Sequence, residues 1–217
     1  MISSIRLLFA IIMTFNIYCP LFGQSECNIK LTNILELPEL QGCQYPMWNK
    51  DGRDVHCSNV YNPENSNDDL IVFLDKTSLK VMARQGDSSW LVTSDNQKYY
   101  FPIISNDKNK VVVHNGSKMQ VFNVNGSGLI SELGWGVACS WNSGSDKILF
   151  IRDESPDGHV ITGSEIYMIN ADGSNLCKLT NTPNTTELWA HWSADGERIV
   201  FYDEQTDKVY QSEIAQR

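Results

Sequence analysis

The chain has 217 residues, 41% of them hydrophobic and 20% charged. That excludes a disordered polymer and leaves room for one sizeable core. Seventeen basic residues against 26 acidic ones give a net charge of −9, a field that repels nucleic acid and anionic lipid, so neither is expected as a partner.

At the N-terminus, Arg6 precedes an apolar run from Leu7 to Ile12 that thins at Thr14 and Asn16 and ends before Pro20. Gly23 then places a small residue before Gln24. Charge, short apolar stretch and small residue in that order make a secretory signal peptide. A spanning helix needs about 20 apolar residues, and this run is shorter. The expected organisation is therefore a leader over 1–23 and one domain over 24–217, exported to the periplasm or secreted, with no membrane span.

Export makes disulfides possible. Cys19 leaves with the leader, and Cys27, Cys43, Cys57, Cys139 and Cys177 remain. No C-x-x-C occurs, so zinc-ribbon and thioredoxin readings fail. Cys27, Cys43 and Cys57 crowd an irregular N-terminal stretch, and one disulfide is expected there, Cys43–Cys57. Cys139 and Cys177 fall in strand-like runs and are expected to stay reduced, as small buried apolar groups.

From residue 65 onward the chain repeats. NSNDDLIVFLD (65–75), ISNDKNKVVVHN (104–115), WNSGSDKILFIRD (141–153) and WSADGERIVFYD (192–203) each join a polar turn cluster to a run of β-forming residues. A second strand follows each run: SLKVMARQ, KMQVFNVNGSG, EIYMINADGSN and KVYQSEI. Asn, Asp and Gly at the hairpin ends supply left-handed turn positions. A third strand follows the first three units, as SWLVTS, LISEL and LCKLTN. Antiparallel units of roughly 40 residues, each too small to bury its own faces, are the blades of a β-propeller. The fourth unit ends without its outer strand, and NIKLTNILELPEL (28–40) reads like LCKLTNTPNTTEL (176–188). The expected fold is all-β: a propeller of four blades of four antiparallel strands, closed by the N-terminal strand 28–32 against 208–214. The segment 45–57 also has a Trp-x-x-Asp-Gly turn, and its place in the ring is open.

Residues 163–203, GSEIYMINADGSNLCKLTNTPNTTELWAHWSADGERIVFYD, resemble the repeat of TolB-type, WD-repeat-like periplasmic propellers. The shared features are the E-I-Y…A-D-G-S hairpin, the L-T-N-T-P segment and the W-S-x-D-G turn. The other units match more loosely. TolB itself has six such blades and a separate α/β domain, so the resemblance implies the repeat rather than membership of the Tol system. It implies structural roles for Trp141, Asp172, Gly173, Trp192, Asp195 and Gly196, and an exported interaction platform.

Catalytic constellations are absent from the sequence. His56, His114, His159 and His191 fall in different units, without H-x-H or H-E-x-x-H, and there is no G-x-S-x-G. No cofactor or metal is implied. The contact candidates are Trp135, Trp189 and His191 at the starts of inner strands, with Tyr99 and Tyr100. The function expected is a non-enzymatic scaffold binding another exported or envelope protein. The alternative is a metal-dependent carbohydrate-active enzyme, suggested by His191 beside the Trp-Ser-x-Asp-Gly turn, where the resemblance to oligogalacturonate-lyase-like propellers would place a metal ligand.

Overall fold

The computed structural model describes residues 29–41, 43, 46–48, 55–57, 70–116, 118–155, 160–182 and 185–216. The leader 1–23, Cys27 and the side chains of His56 and Cys57 lie outside the described part, as does His159.

The chain is all-β, in four sheets of three or four antiparallel strands arranged as a four-bladed propeller. Strand β1 (Ile29–Glu36) and the hairpin β2 (Pro46–Trp48) and β3 (Val55–Cys57) come first in sequence. Blade 1 is β4 (Ile71–Leu74), β5 (Val81–Gln85) and β6 (Ser88–Leu91). Blade 2 is β7 (Tyr100–Ile104), β8 (Lys110–Asn115), β9 (Lys118–Asn123) and β10 (Gly128–Trp135). Blade 3 is β11 (Val137–Trp141), β12 (Lys147–Glu154), β13 (Gly163–Asn170) and β14 (Cys177–Lys178). Blade 4 joins β15 (Glu187–Trp192), β16 (Arg198–Asp203) and β17 (Lys208–Gln216) to β1, in the order β1-β17-β16-β15. The two ends of the chain therefore meet in one sheet, Ile29 opposite Gln216 and Glu36 opposite Tyr210.

Why the second strand of blades 2, 3 and 4 reads as unbroken apolar sequence is plain from the packing. Successive side chains point to opposite faces, and both faces are covered, by neighbouring blades or, in blade 4, by blade 3 and the β2–β3 pair. Val111 and Val113 pack towards blade 1 while Val112 packs towards blade 3. In β12, Ile148 and Phe150 face blade 2, and Leu149 and Ile151 face blade 4. In β16, Ile199 and Phe201 face blade 3, and Val200 and Tyr202 meet Trp48 and Cys43. Strands β2 and β3 thus form a separate antiparallel pair lying on blade 4, with the Arg198 guanidinium 4.4 Å above the Trp48 ring.

Tryptophans stitch the blades. Trp141 is 6% exposed and donates its indole N–H to the Ile103 carbonyl of blade 2 at 2.9 Å. Trp90 of blade 1 does the same to Val124 at 2.7 Å. Trp192 is half-buried against the cluster between blades 3 and 4.

Cys139 is a buried thiol that takes part in no disulfide. Cys43 and Cys177 are both disulfide-bonded. For Cys177 this corrects the expectation of a reduced strand cysteine. It sits on β14, the outermost strand of blade 3, in a cluster that also takes Ile29 and Leu31 of β1. A strand read as core is in fact a rim where the N-terminal segment passes.

Candidate functional site

In blades 2, 3 and 4 the first strand runs from one face of the ring to a tight turn on the other. On the turn face one chemistry recurs. Ser193 donates to Asp195 at 2.5 Å, and Asp195 accepts the Glu197 N–H at 3.0 Å and lies 3.3 Å from Arg198. Ser105, Asp107, Asn109 and Lys110 repeat this arrangement in blade 2. In blade 3, Asn142 takes the serine's place and accepts the N–H groups of Asp146 and Lys147. Burial alone would raise the Asp107 carboxyl, but the Ser105 hydroxyl, Asn109 and Lys110 bring it down to about 2. The Ser193 hydroxyl and the Glu197 N–H likewise lower Asp195. Asp172 caps the hairpin of blade 3 by accepting the Ser174 N–H at 2.9 Å, with Gly173 at φ 87°. Adjacent turns also touch: Asn106 donates to the Asn142 carbonyl, and the Asp107 N–H to the Ser145 hydroxyl, both at 2.9 Å.

The start face is built differently. The first strands of blades 2, 3 and 4 each carry a β-bulge near their beginning, between Tyr100 and Ile103, Val137 and Ser140, and Leu188 and His191. In each, the second residue is left-handed: Phe101 at φ 51°, Ala138 at 54° and Trp189 at 54°. Bulky residues rarely adopt this region, and bulges there re-aim the side chains that follow. Tyr100 and Phe101 stand 37% and 46% exposed beside this bulge.

Between blades 3 and 4 the same face holds two buried carboxylates. Glu165 and Glu187 are each 3% exposed. Thr180 and Thr182 donate to the two oxygens of Glu187, Thr182 at 2.6 Å. Glu165 accepts the Thr182 N–H at 3.0 Å and lies 3.3 Å from Lys178, which is also 3.1 Å from Glu154. Desolvation pushes the Glu187 carboxyl up to about 7, against the pull of its two threonines and with the Glu165 charge adding to the rise. The pair ties Thr180 and Thr182 to the start of β13, where Gly163 comes so close that a Cβ would lie 2.3 Å from the Thr185 carbonyl. The threonines of the L-T-N-T-P segment therefore serve these carboxylates. Sequence reading missed both glutamates; the available signal was a charged residue inside each of two apolar strand runs, E-I-Y-M-I and E-L-W-A.

The sequence-derived contact candidates separate here. Tyr99 is fully buried in the cluster between blades 1 and 2, its ring edge-on to Phe122 and its hydroxyl 2.5 Å from Asp95, so it cannot meet a partner from solution. Tyr100 is exposed on the start face. Trp135 is half-buried at the end of β10, and its carbonyl accepts the Arg152 guanidinium at 3.0 Å. Trp189 is half-buried at the bulge of blade 4, two residues before His191. Desolvation lowers the His191 imidazole to about 4, which keeps it neutral. Among the described residues no three His, Cys, Asp or Glu side chains gather as cation ligands, so His191 has no metal-binding company there.

No protein-family model matches the sequence, and no curated protein matches it. Solved structures do. KlAtg21, solved with the coiled-coil of AgAtg16, superposes with a TM-score of 0.54 at 14% identity, over 65% of this chain and 47% of that one. A prolyl endopeptidase superposes with a TM-score of 0.50 at 16% identity, over 70% of this chain and 27% of that one. A putative TolB from Agrobacterium tumefaciens gives 0.48 at 17%, over 62% and 50%. The likeness is one of fold alone, the β-propeller. The chain spans half or less of the length of each of these three structures. No helix among the described residues is long and apolar enough to cross a membrane.

Proposed function

We propose that the chain is a non-enzymatic interaction module of TolB-like repeat type, exported by the leader 1–23, with another exported or envelope protein as its partner. The observation that carries this reading is the start face: three neighbouring strands hold strained left-handed bulges, and one of these bulges sets Tyr100 and Phe101 out towards solvent. Strained backbone gathers where a surface is used, and exposed aromatic side chains anchor protein interfaces. Beneath this face Glu187 is engaged by Thr180 and Thr182, and Glu165 by the Thr182 N–H and Lys178, so both hold the loop in place.

Site-directed photocrosslinking in the native organism tests it. A crosslinker at Tyr100 or Trp189 should give a discrete adduct with one envelope or secreted protein, while one at Lys108 on the turn face should give none. Adducts from both faces alike, or from neither, would refute the assignment of the start face. A reporter fused to residues 1–23 should leave the cytoplasm; one that stays inside removes the exported part of the proposal.

A further inference from the structure

Beneath Phe101, three soft donor side chains converge in the core between blades 2 and 3. His114 and Met119 face each other as a cross-strand pair of β8 and β9. Cys139 arrives from blade 3, one residue after the left-handed bulge at Ala138. The Cys139 Sγ lies 3.3 Å from Met119 Sδ and 3.6 Å from His114 Nε2. The three are 1%, 0% and 4% exposed. The His114 imidazole also bonds the Gly136 backbone, the kind of outer contact that orients a metal-ligating ring.

We propose that this cluster binds one cuprous ion through His114 Nε2, Met119 Sδ and Cys139 Sγ. Thiolate and thioether donors select Cu(I) over harder cations, and imidazole completes a set suited to copper. Donors held about 2.0–2.3 Å from one ion in a trigonal array lie roughly 3.5–4 Å apart, so the Cys139–Met119 and Cys139–His114 separations of 3.3 and 3.6 Å need widen by less than about 1 Å. Binding breaks the S–H bond of Cys139 and forms an S–Cu bond. The proton leaves to solvent, and no electron moves because copper enters as Cu(I). The route in is short. Phe101, 46% exposed, stands edge-on to the His114 ring with centroids 6.0 Å apart, and Tyr100 lies opposite His114 in the strand register. In this proposal the ion enters past the Phe101 ring, which swings aside from His114.

The test is anaerobic titration of residues 24–217 with Cu(I) against a chromogenic cuprous chelator. One ion per chain should be retained, with a thiolate-to-copper absorption in the ultraviolet and an X-ray absorption spectrum showing sulfur and nitrogen neighbours. Met119→Leu keeps the apolar volume and should weaken retention at least roughly tenfold, since even an outer partner of a metal site is worth ten- to a hundredfold. Cys139→Ser should remove the ultraviolet absorption. Failure of the unaltered chain to hold copper against the chelator overturns the proposal. So does bound copper with only nitrogen and oxygen neighbours, or retention unchanged in both variants. The spectra are taken on the unaltered chain, so a variant that misfolds does not shelter the idea.

Discussion

The two faces of the ring solve the same problem, ending a strand, with opposite chemistry. On the turn face, each loop is closed by its own short-range hydrogen bonds. The carboxylates of Asp107 and Asp195 stay ionised, held low by neighbouring hydroxyl and amide donors. On the start face, the loops are closed by side chains from other strands. Glu187 is pushed towards neutrality by burial, and the backbone at Phe101, Ala138 and Trp189 is left-handed. The contrast separates what the repeat needs in order to fold from what the surface can use. Local turns specify strand order cheaply and three times over, whereas desolvated carboxylates and strained bulges persist only where surrounding structure enforces them.

The largest disturbance should come from neither face but from the seam that closes the ring. Removing residues 24–34 takes most of β1 from blade 4 and bares the edge of β17, an open row of backbone donors and acceptors that invites association. We expect unfolding or oligomers by analytical ultracentrifugation; a monomer of unchanged melting temperature would show that β1 is not needed for closure. The disulfides bear on the same seam. Cys43 and Cys177 belong to different side-chain clusters, so two bridges are expected. Ile29 and Leu31 pack beside Cys177, and Cys57 is in register with Pro46, three residues from Cys43. The expected pairs are Cys27–Cys177 and Cys43–Cys57. Thiol titration of denatured, unreduced residues 24–217 should find a single titratable thiol, Cys139; three would mean that only one of the two bridges forms.

Next in size is Trp141→Ala, which removes a buried ring and the bond to Ile103. It should cost about 3–5 kcal/mol by denaturant unfolding. Trp192→Ala, half-buried, should cost about 2 kcal/mol. Equal losses would mean that the two tryptophans do the same packing work, against their different burial.

The start face should also announce itself through pH. Glu187 rises from an ordinary 4.5 to about 7 on folding, so between these values the folded chain holds a proton that the unfolded chain has released. Its stabilising contribution is complete below about pH 4.5 and is lost as pH rises through 7, by roughly 3 kcal/mol at most. His114 and His191, lowered to about 4 from 6.5, act in the opposite sense. Their contribution is complete above pH 6.5 and is lost as pH falls towards 4. Glu187→Gln has the shape of the protonated acid and should keep only the histidine slope. Its stability relative to the parent should therefore climb between about pH 5 and 8. Parallel urea-midpoint curves would contradict a neutral Glu187.

How much of this was readable beforehand follows the same division. The turns were legible because Ser193-Ala-Asp195-Gly196 and its counterparts carry their chemistry within six residues. The β1–β17 closure was legible because Ile29 to Asn33 repeat the strand pattern of Cys177 to Asn181. The start face was not. Glu165 meets Thr182 across 17 residues, and His114 meets Cys139 across 25; no local window contains both partners. Tyr99 was read as a contact residue with Tyr100, yet it sits just before β7 and is fully buried against Phe122, while Tyr100 opens the strand at 37% exposed. The bridge at Cys177 was hidden for a similar reason, since a buried strand cysteine and a bridged one look alike until the strand crossing the rim is known.

The smallest effect tests whether the turns of the three blades are truly one device. The fourth residue of each turn is left-handed: Lys108 at φ 61°, Ser145 at 57° and Gly196 at 76°. Only blade 4 places glycine there. A side chain in that region costs about 1–2 kcal/mol, from the crowding of Cβ against the following carbonyl. Gly196→Ala should therefore lose about that much, the more so because a Cβ would lie 3.0 Å from the Ser143 hydroxyl. Lys108→Gly relieves the same crowding, but glycine also loosens the unfolded chain, which takes back about 0.4–1 kcal/mol. The net expectation is a gain of about 0.5 kcal/mol, with Ser145 left alone because its hydroxyl receives the Asp107 N–H. If Lys108→Gly instead loses as much as Gly196→Ala, then contacts of the lysine side chain outweigh its backbone angle, and blade 2 closes its turn by a different balance of forces from blade 4.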